Sequence, residues 1–375
     1  MTSPLVSRLL SEIGRASDIE TRYSLMAELG CYWARIGEFQ EAERIRQEVR
    51  SRFGDGRSLQ VSVRVMCLEG LQLYFTKLDP KARDRFVRAH LLSKAAGSRP
   101  LIALTSSWLS HIDFNLNRFD DMAQHAAECL SSLDGESDVM ADCRVSLVLG
   151  DALLYAGEVT HSNRWYERAR RCATSSGDQA AIGAMTYNRA ALRVTGMRID
   201  SLKITPSASG LRLLLREVET AINYQAIAEL RSLDHLLLAA KAGCFMLQER
   251  FVDAEPILSR LLSSAAESPE SSQHSIASAD LAALLARTNR RSESIARLQS
   301  INEEQYQRLP ADDAAIAYAS LANAASECGD RPLSERFAAI SKHFLESHDS
   351  TLSALRVELN RFHELPPSGT TAIRC

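Results

Sequence analysis

Asp113-Phe-Asn115-Leu-Asn117 places three oxygen-bearing side chains at alternate positions, the opening of a calcium loop. Such a loop needs a turn glycine at its sixth position and a bidentate glutamate at its twelfth, where this sequence has Arg118 and Gln124. The stretch is therefore read as a helix end with Ile112 and Leu116 on its apolar face. No two of the nine histidines stand three or four residues apart, so no helix carries paired imidazoles for zinc. Phosphate-binding glycine loops, a dinucleotide fingerprint and a nucleophile elbow are also missing from the sequence. The eight cysteines form no close pair, and all but Cys375 lie in apolar-periodic segments, the pattern of reduced packing residues. Arg164-Trp-Tyr-Glu-Arg-Ala-Arg-Arg171 interleaves cations with aromatics as a single-strand-binding face does, but Trp165, Tyr166 and Ala169 fall on one packing stripe and the arginines on its solvated flank. The sequence thus leads to a chain that is not an enzyme, with no cofactor and no metal.

The elements that would position these residues are helices. The chain has 375 residues and 45% are apolar, with 44 Lys+Arg against 47 Asp+Glu. A net charge of −3 provides no polybasic field, which argues against nucleic acid as partner. The longest apolar run, Leu236–Leu247, is broken by Lys241, and Arg8 and Glu12 interrupt the N-terminal stretch where a secretory signal needs apolar residues. Those features imply a cytoplasmic chain without a membrane span.

Small residues recur at a fixed interval. Gly30, Gly70, Ser110, Gly150 and Ala190 are 40 apart, and after one step of 52 the series continues with Ala242, Ala282 and Ala322. Each precedes by seven residues a helix-to-helix corner, at Gly37, Lys77, Asn117, Gly157, Met197, Glu249, Asn289 and Gly329. A residue with little side chain lets two helix backbones approach, whereas a larger one holds them apart. Residues 1–22 are then an N-terminal cap helix and 23–354 eight hairpins, with a loop insertion near 200–210 serving as hinge, contact loop or neutral excursion. The polar stretch Glu267–Ser272 around Pro269 is read as a turn, 355–365 as the end of a capping helix that starts near Ser350, and 366–375 as a disordered tail.

Leu29-Gly30-x-x-Trp33-x-x-x-Gly37-x-Phe39-x-x-Ala42 resembles the tetratricopeptide pattern, and Leu149-Gly150, Gly157, Tyr166 and Ala169 resemble it again. The period near 40 exceeds that of the standard family and is shared with HEAT repeats, but the Gly-x-Phe-x-x-Ala corner favours a divergent tetratricopeptide-like array. The resemblance implies an all-α fold, a right-handed superhelical solenoid of about eight antiparallel helix hairpins with a C-terminal capping helix. It further implies a protein that binds partners in a groove lined by the first helix of each hairpin.

In that register the groove positions are Arg64, Tyr74, Trp108, His111, Asn115, Arg144, Asp151, Tyr155, Tyr187 and Asn188. Arg64 and Arg144 would pair with carboxylates, Asn115 and Asn188 with an extended backbone, and the tyrosines would supply amphipathic area. The alanine-rich later units, with Ala239, Ala279, Ala283 and Ala319, offer fewer handles and could join a second copy of the chain. Two functions follow: an adaptor holding a protein segment in the groove, or a sensor in which a peptide or small effector changes curvature and so controls a separate output protein.

Overall fold

The computed structural model describes residues 3–53, 57–77, 79, 81–134, 138–232, 234–264 and 271–364. Among them there is no strand. The helices are α1 (Pro4–Arg15), α2 (Ile19–Ile36), α3 (Phe39–Phe53), α4 (Leu59–Lys77), α5 (Lys81–Ala95), α6 (Arg99–Asn115), α7 (Phe119–Ser132), α8 (Val139–Tyr155) and α9 (Val159–Ser176). They continue with α10 (Gln179–Ser201), α11 (Ala208–Ile227), α12 (Asp234–Leu247), α13 (Phe251–Ser264), α14 (Ser272–Arg287), α15 (Arg291–Gln299), α16 (Glu303–Gln307), α17 (Ala311–Cys328) and α18 (Arg331–Leu359). No described helix is long and apolar enough to cross a membrane.

Gly37, Asn117, Gly157, Glu249, Asn289 and Gly329 all have positive φ, between 53° and 92°. At each, the next residue's N–H reaches back to the carbonyl five residues earlier, as from Glu38 to Trp33 (2.9 Å), Glu158 to Leu153 (2.8 Å) and Arg290 to Leu285 (2.8 Å). This double-bonded stop satisfies the last carbonyls of the first helix and turns the chain into the second.

The small-residue register marks where the paired helices touch. A Cβ on Gly70 would lie 2.6 Å from the Phe86 ring, and one on Gly150 would lie 3.0 Å from that of Tyr166. Where serine follows the corner by five, its hydroxyl donates to the register carbonyl across the crossing: Ser162 to Gly150 (2.7 Å), Ser294 to Ala282 and Ser334 to Ala322 (both 2.9 Å).

The chain forms two compact units. One comprises Met1–Met185, Tyr224–Ser232 and Leu355–Cys375; the other comprises Thr186–Asn223 and Leu233–Ala354. In the first, α2–α3, α4–α5, α6–α7 and α8–α9 pair as hairpins, α2 packs on α4, and α6 on α8. The end of α18 contributes Leu355, Leu359 and Phe362 to a core with Val148 and Trp165. In the second, α12 pairs with α13 and α14 with α15, while α14 crosses α17 through Ala279, Ala283, Ala314 and Ala317. Those alanines are thus used in a close crossing within their own unit, and Ala279 and Ala283 are buried there rather than presented to a second copy.

Two sequence expectations need correction. Met197 is not a corner, because α10 continues to Ser201. Val194 and Ile199 are buried on either side of it, and Arg198 clamps the last turn to Asp280 by two bonds of 2.9 and 2.6 Å. The connection to α11 is correspondingly shorter than the expected Asp200–Gly210 loop. Nor does a capping helix start near Ser350: α18 runs unbroken from Arg331, since nothing between Leu333 and Leu359 is glycine, proline or asparagine. The Pro269 turn and the 366–375 tail lie outside the described residues.

The crossings yield a paired prediction. Phe86 is fully buried and stacked on Trp108, so it cannot yield to a new methyl group, whereas nothing lies within 4 Å of a Cβ on exposed Gly14. Gly70→Ala is expected to cost about 1–3 kcal/mol in urea unfolding, and Gly14→Ala to raise stability by up to ~1 kcal/mol.

Candidate functional site

A cleft of about 950 Å³ lies in the first unit. Successive first helices line it: Glu28, Cys31, Tyr32 and Arg35 from α2, Arg64 and Cys67 from α4, Leu104 and Trp108 from α6, and Ala141, Cys143 and Arg144 from α8. Leu5 and Leu9 of α1 and Asp178, immediately before α10, complete the wall. Residues three, four or seven apart share a helix face, which is why each helix presents such a set. Arg64, Leu104 and Arg144 are 40 apart and repeat one position of the register.

Three arginines enter this cleft in different states. Arg35 is bound at both ends of its guanidinium by Asp178, at 2.8 and 2.9 Å, and both side chains are buried. Burial is the largest influence and by itself would lower the Arg35 pKa, but the Asp178 charge together with its hydrogen bonds turns the net shift upward. Asp178 also accepts from the Ala181 N–H (2.9 Å), so it caps α10 while neutralising α2. Arg64, half-buried, pairs with Glu28 at 2.6 Å.

Arg144 differs. It is 6% exposed, yet its guanidinium meets no carboxylate at ion-pair distance and makes no hydrogen bond among the described residues. Its contact is the face of Trp108, 4.0 Å from guanidinium carbon to ring centroid. Burial, and then the neighbouring Arg35 charge, lower its pKa to about 10, so it remains a cation at neutral pH. A cation–π contact offsets only about 2 kcal/mol of such a desolvation.

Trp108 is itself held from behind. It stacks on Phe86 with ring centroids 5.8 Å apart and meets the His111 edge at 5.7 Å; His111 in turn meets Tyr74 at 5.3 Å. Burial, then Arg144 and Arg35, depress the His111 pKa to about 3, so this imidazole is neutral. Burial pushes the Cys67 and Cys143 thiols up to about 12, and neither is a thiolate nucleophile at neutral pH. Among the described residues, no group of three potential metal donors converges in this cleft.

The positions expected from sequence are therefore divided. Arg64, Trp108 and Arg144 line the cleft, and Tyr74 and His111 support it from behind. Asp151 accepts a 2.7 Å bond from the Tyr166 hydroxyl, Asn115 donates to the His111 carbonyl of its own helix (2.8 Å), and Tyr155 packs edge-on to Phe114. The Asp151 carboxylate and the Asn115 amide are thus bonded within and between helices, and the Tyr155 ring is used in packing. Tyr187 and Asn188 belong to the second unit, where Tyr187 lines a different pocket with Arg198, Asp280 and Asp313. Arg35, Glu28 and Asp178 fall outside the expected set, although Asp178 after Gly177 is a readable helix cap.

The calcium-like segment is closed by ion pairing. Asp113 is buried and accepts from Arg83 Nε (2.6 Å) and pairs with His125 Nδ1 (2.9 Å). In the basic cluster, Trp165 and Tyr166 are buried and Arg168 pairs with Asp142 at 2.7 Å, so its aromatics are not free to stack on bases.

The helical hairpins, their left-handed corners and their small-residue crossings define a tetratricopeptide-like helical repeat fold. The structure of a Rap protein complexed with Competence and Sporulation Factor is similar over 94% of this chain and 93% of that one, with a TM-score of 0.55 and 13% identity. The apo form of RapI aligns over 92% and 91%, at 11% identity and a TM-score of 0.46. No protein-family model and no curated protein matches the sequence.

Two outcomes test this electrostatic arrangement. Asp178→Asn leaves Arg35 buried without its counter-charge and is expected to cost about 3–5 kcal/mol in urea melts. His111 has a folded pKa below its ordinary 6.5, so the unfolded chain takes up a proton that the folded one refuses. Its contribution to stability is intact above pH 6.5 and is lost as the pH falls toward 3. At pH 5 that loss is about 2 kcal/mol relative to pH 7.5, and His111→Phe should remove it from the pH dependence.

Proposed function

We propose that this chain is a non-catalytic regulator whose first unit takes a carboxylate-bearing peptide segment into the cleft and which acts through a separate partner protein. The observation that carries this reading is Arg144, a buried cation without a counter-ion that faces open space on an aromatic support. An incoming carboxylate would pair with its guanidinium, and Trp108 would fix the plane of that pair. Arg64 flanks the same cleft with its charge already met by Glu28, so it contributes less.

Of the adaptor and the sensor, the recessed cation favours the sensor. A group that is 6% exposed is reached by a chain end or a short acidic side chain more readily than by a helix lying along a groove. The similar Rap protein is held in complex with Competence and Sporulation Factor, which accords with a fold that receives an effector.

Calorimetry with short synthetic peptides tests the reading, each made with a free and with an amidated C-terminus. Free-acid peptides should bind the native chain, and Arg144→Leu should weaken them by roughly 10–100-fold. The same variant should unfold at higher urea concentration, because it removes a desolvated charge. Arg64→Glu combined with Arg144→Glu should abolish binding in a folded protein. Equal affinity for both forms of a peptide that has no acidic side chain, or undiminished binding by Arg144→Leu, would sink the proposal. A change in scattering profile on peptide addition is expected for the sensor, and an unchanged profile for the adaptor.

A further inference from the structure

Away from the cleft, a second cluster joins the α8–α9 corner to the segment after α18. Glu158 closes the corner after Gly157 and stands immediately before α9, and His161 follows it by one helical turn. His363 comes from the far end of the chain, just beyond the turn at Asn360–Phe362. That end is fixed to the hairpin independently: Trp165 Nε1 donates to the Phe362 carbonyl (2.8 Å), Arg356 Nε donates to the Ala156 carbonyl (2.9 Å), and Leu355 and Leu359 are fully buried.

The three side chains converge on one point. Glu158 Oε2 lies 3.1 Å from His161 Nδ1 and 2.7 Å from His363 Nε2, and the two imidazoles lie face to face at 4.1 Å with planes 7° apart. His363 Nε2 is sealed from solvent but makes no hydrogen bond, since its approach to the carboxylate is short yet misdirected. His161 Nδ1 is within hydrogen-bond distance of the same carboxylate oxygen, and the two imidazoles and the carboxylate bring three potential metal donors within 4.8 Å of one another.

We propose that Glu158, His161 and His363 bind a divalent transition metal of the zinc class and clamp the C-terminal segment to the α8–α9 hairpin. Two imidazole nitrogens and one carboxylate suit Zn²⁺ and its neighbours, whereas Mg²⁺ and Ca²⁺ take oxygen donors throughout. Bonds of about 2.0–2.1 Å in a tetrahedron set donors ~3.3 Å apart. Binding an ion exchanges the Glu158–His161 hydrogen bond for metal bonds and requires the stacked imidazoles to turn so that each ring nitrogen faces the ion, a movement open to side chains that are only half-buried. The sequence hides this set, because Glu158 and His161 are a common surface pair and their third member is distant.

The test uses the full chain stripped with chelator, titrated with Zn²⁺ by calorimetry and with Co²⁺ by visible absorption. One Zn²⁺ per chain is expected, with a tetrahedral Co²⁺ spectrum lacking a thiolate charge-transfer band, a raised melting temperature and no response to Mg²⁺. His363→Ala and Glu158→Gln should each weaken Zn²⁺ by more than about 10-fold, with His161→Gln as a second ligand variant should either fold poorly. His343→Ala, at an exposed position, should bind normally. Failure to bind Zn²⁺, undiminished binding by the ligand variants, or a thiolate band assigning the metal to cysteines would overturn the site.

Discussion

The approach of paired helices at the register glycines fixes the position of the cleft as well as the fold. Because Gly70 has no side chain, the Phe86 ring occupies the space where its Cβ would be. The opposite face of that ring is then the surface on which Trp108 stacks, and Trp108 carries Arg144. The same device at Gly150 seats Tyr166, whose hydroxyl holds Asp151. A backbone contact less than one side chain wide is thus transmitted through two rings to a guanidinium. The glycines thus set the positions of side chains beyond their own crossing.

That transmission explains what the sequence could disclose. A fixed interval of small residues is legible because the crossing repeats a single steric demand, and Gly37, Gly157 and Gly329 announce corners because glycine enters the left-handed region without penalty. Glu249 takes up the same conformation without a residue type that favours it; the register alone marks that corner, and the neighbouring corner bonds hold it. Met197 fails as a corner because its ladder is overruled from outside: the Arg198–Asp280 pair, 82 residues apart, holds the turn that local composition would release. Among site residues, Trp108 and Arg144 follow from helix phase alone. Asn115 and Asp151 share that phase but find partners in their own or the adjacent helix, a choice set by distances that no one-dimensional pattern contains.

The cleft shows why proximity does not settle charge pairing. Arg35 and Arg144 each sense Asp178, yet only Arg35 binds it. Both carboxylate oxygens face the Arg35 fork, and one is further committed to the Ala181 N–H at the start of α10. Turning Asp178 toward Arg144 would leave a helix N-terminus uncapped and another buried guanidinium bare, so the pairing is fixed by the carboxylate with the most backbone ties.

Arg144 therefore remains as a charge that folding has desolvated without neutralising. An apolar residue of similar size would fill the same space on Trp108 at lower cost, as replacements of buried ions in other proteins indicate. A purely structural site would favour that replacement. Retaining a cation there makes sense when the missing counter-charge arrives from outside, because the desolvation already incurred in folding strengthens the pairing when a carboxylate enters. The same reasoning separates Arg144 from Arg64: with Glu28 at 2.6 Å, Arg64 has little uncompensated charge to offer. Of the three arginines in the cleft, Arg144 is the one that pairs with no carboxylate among the described residues, and the proposed preference for an anion rests on it.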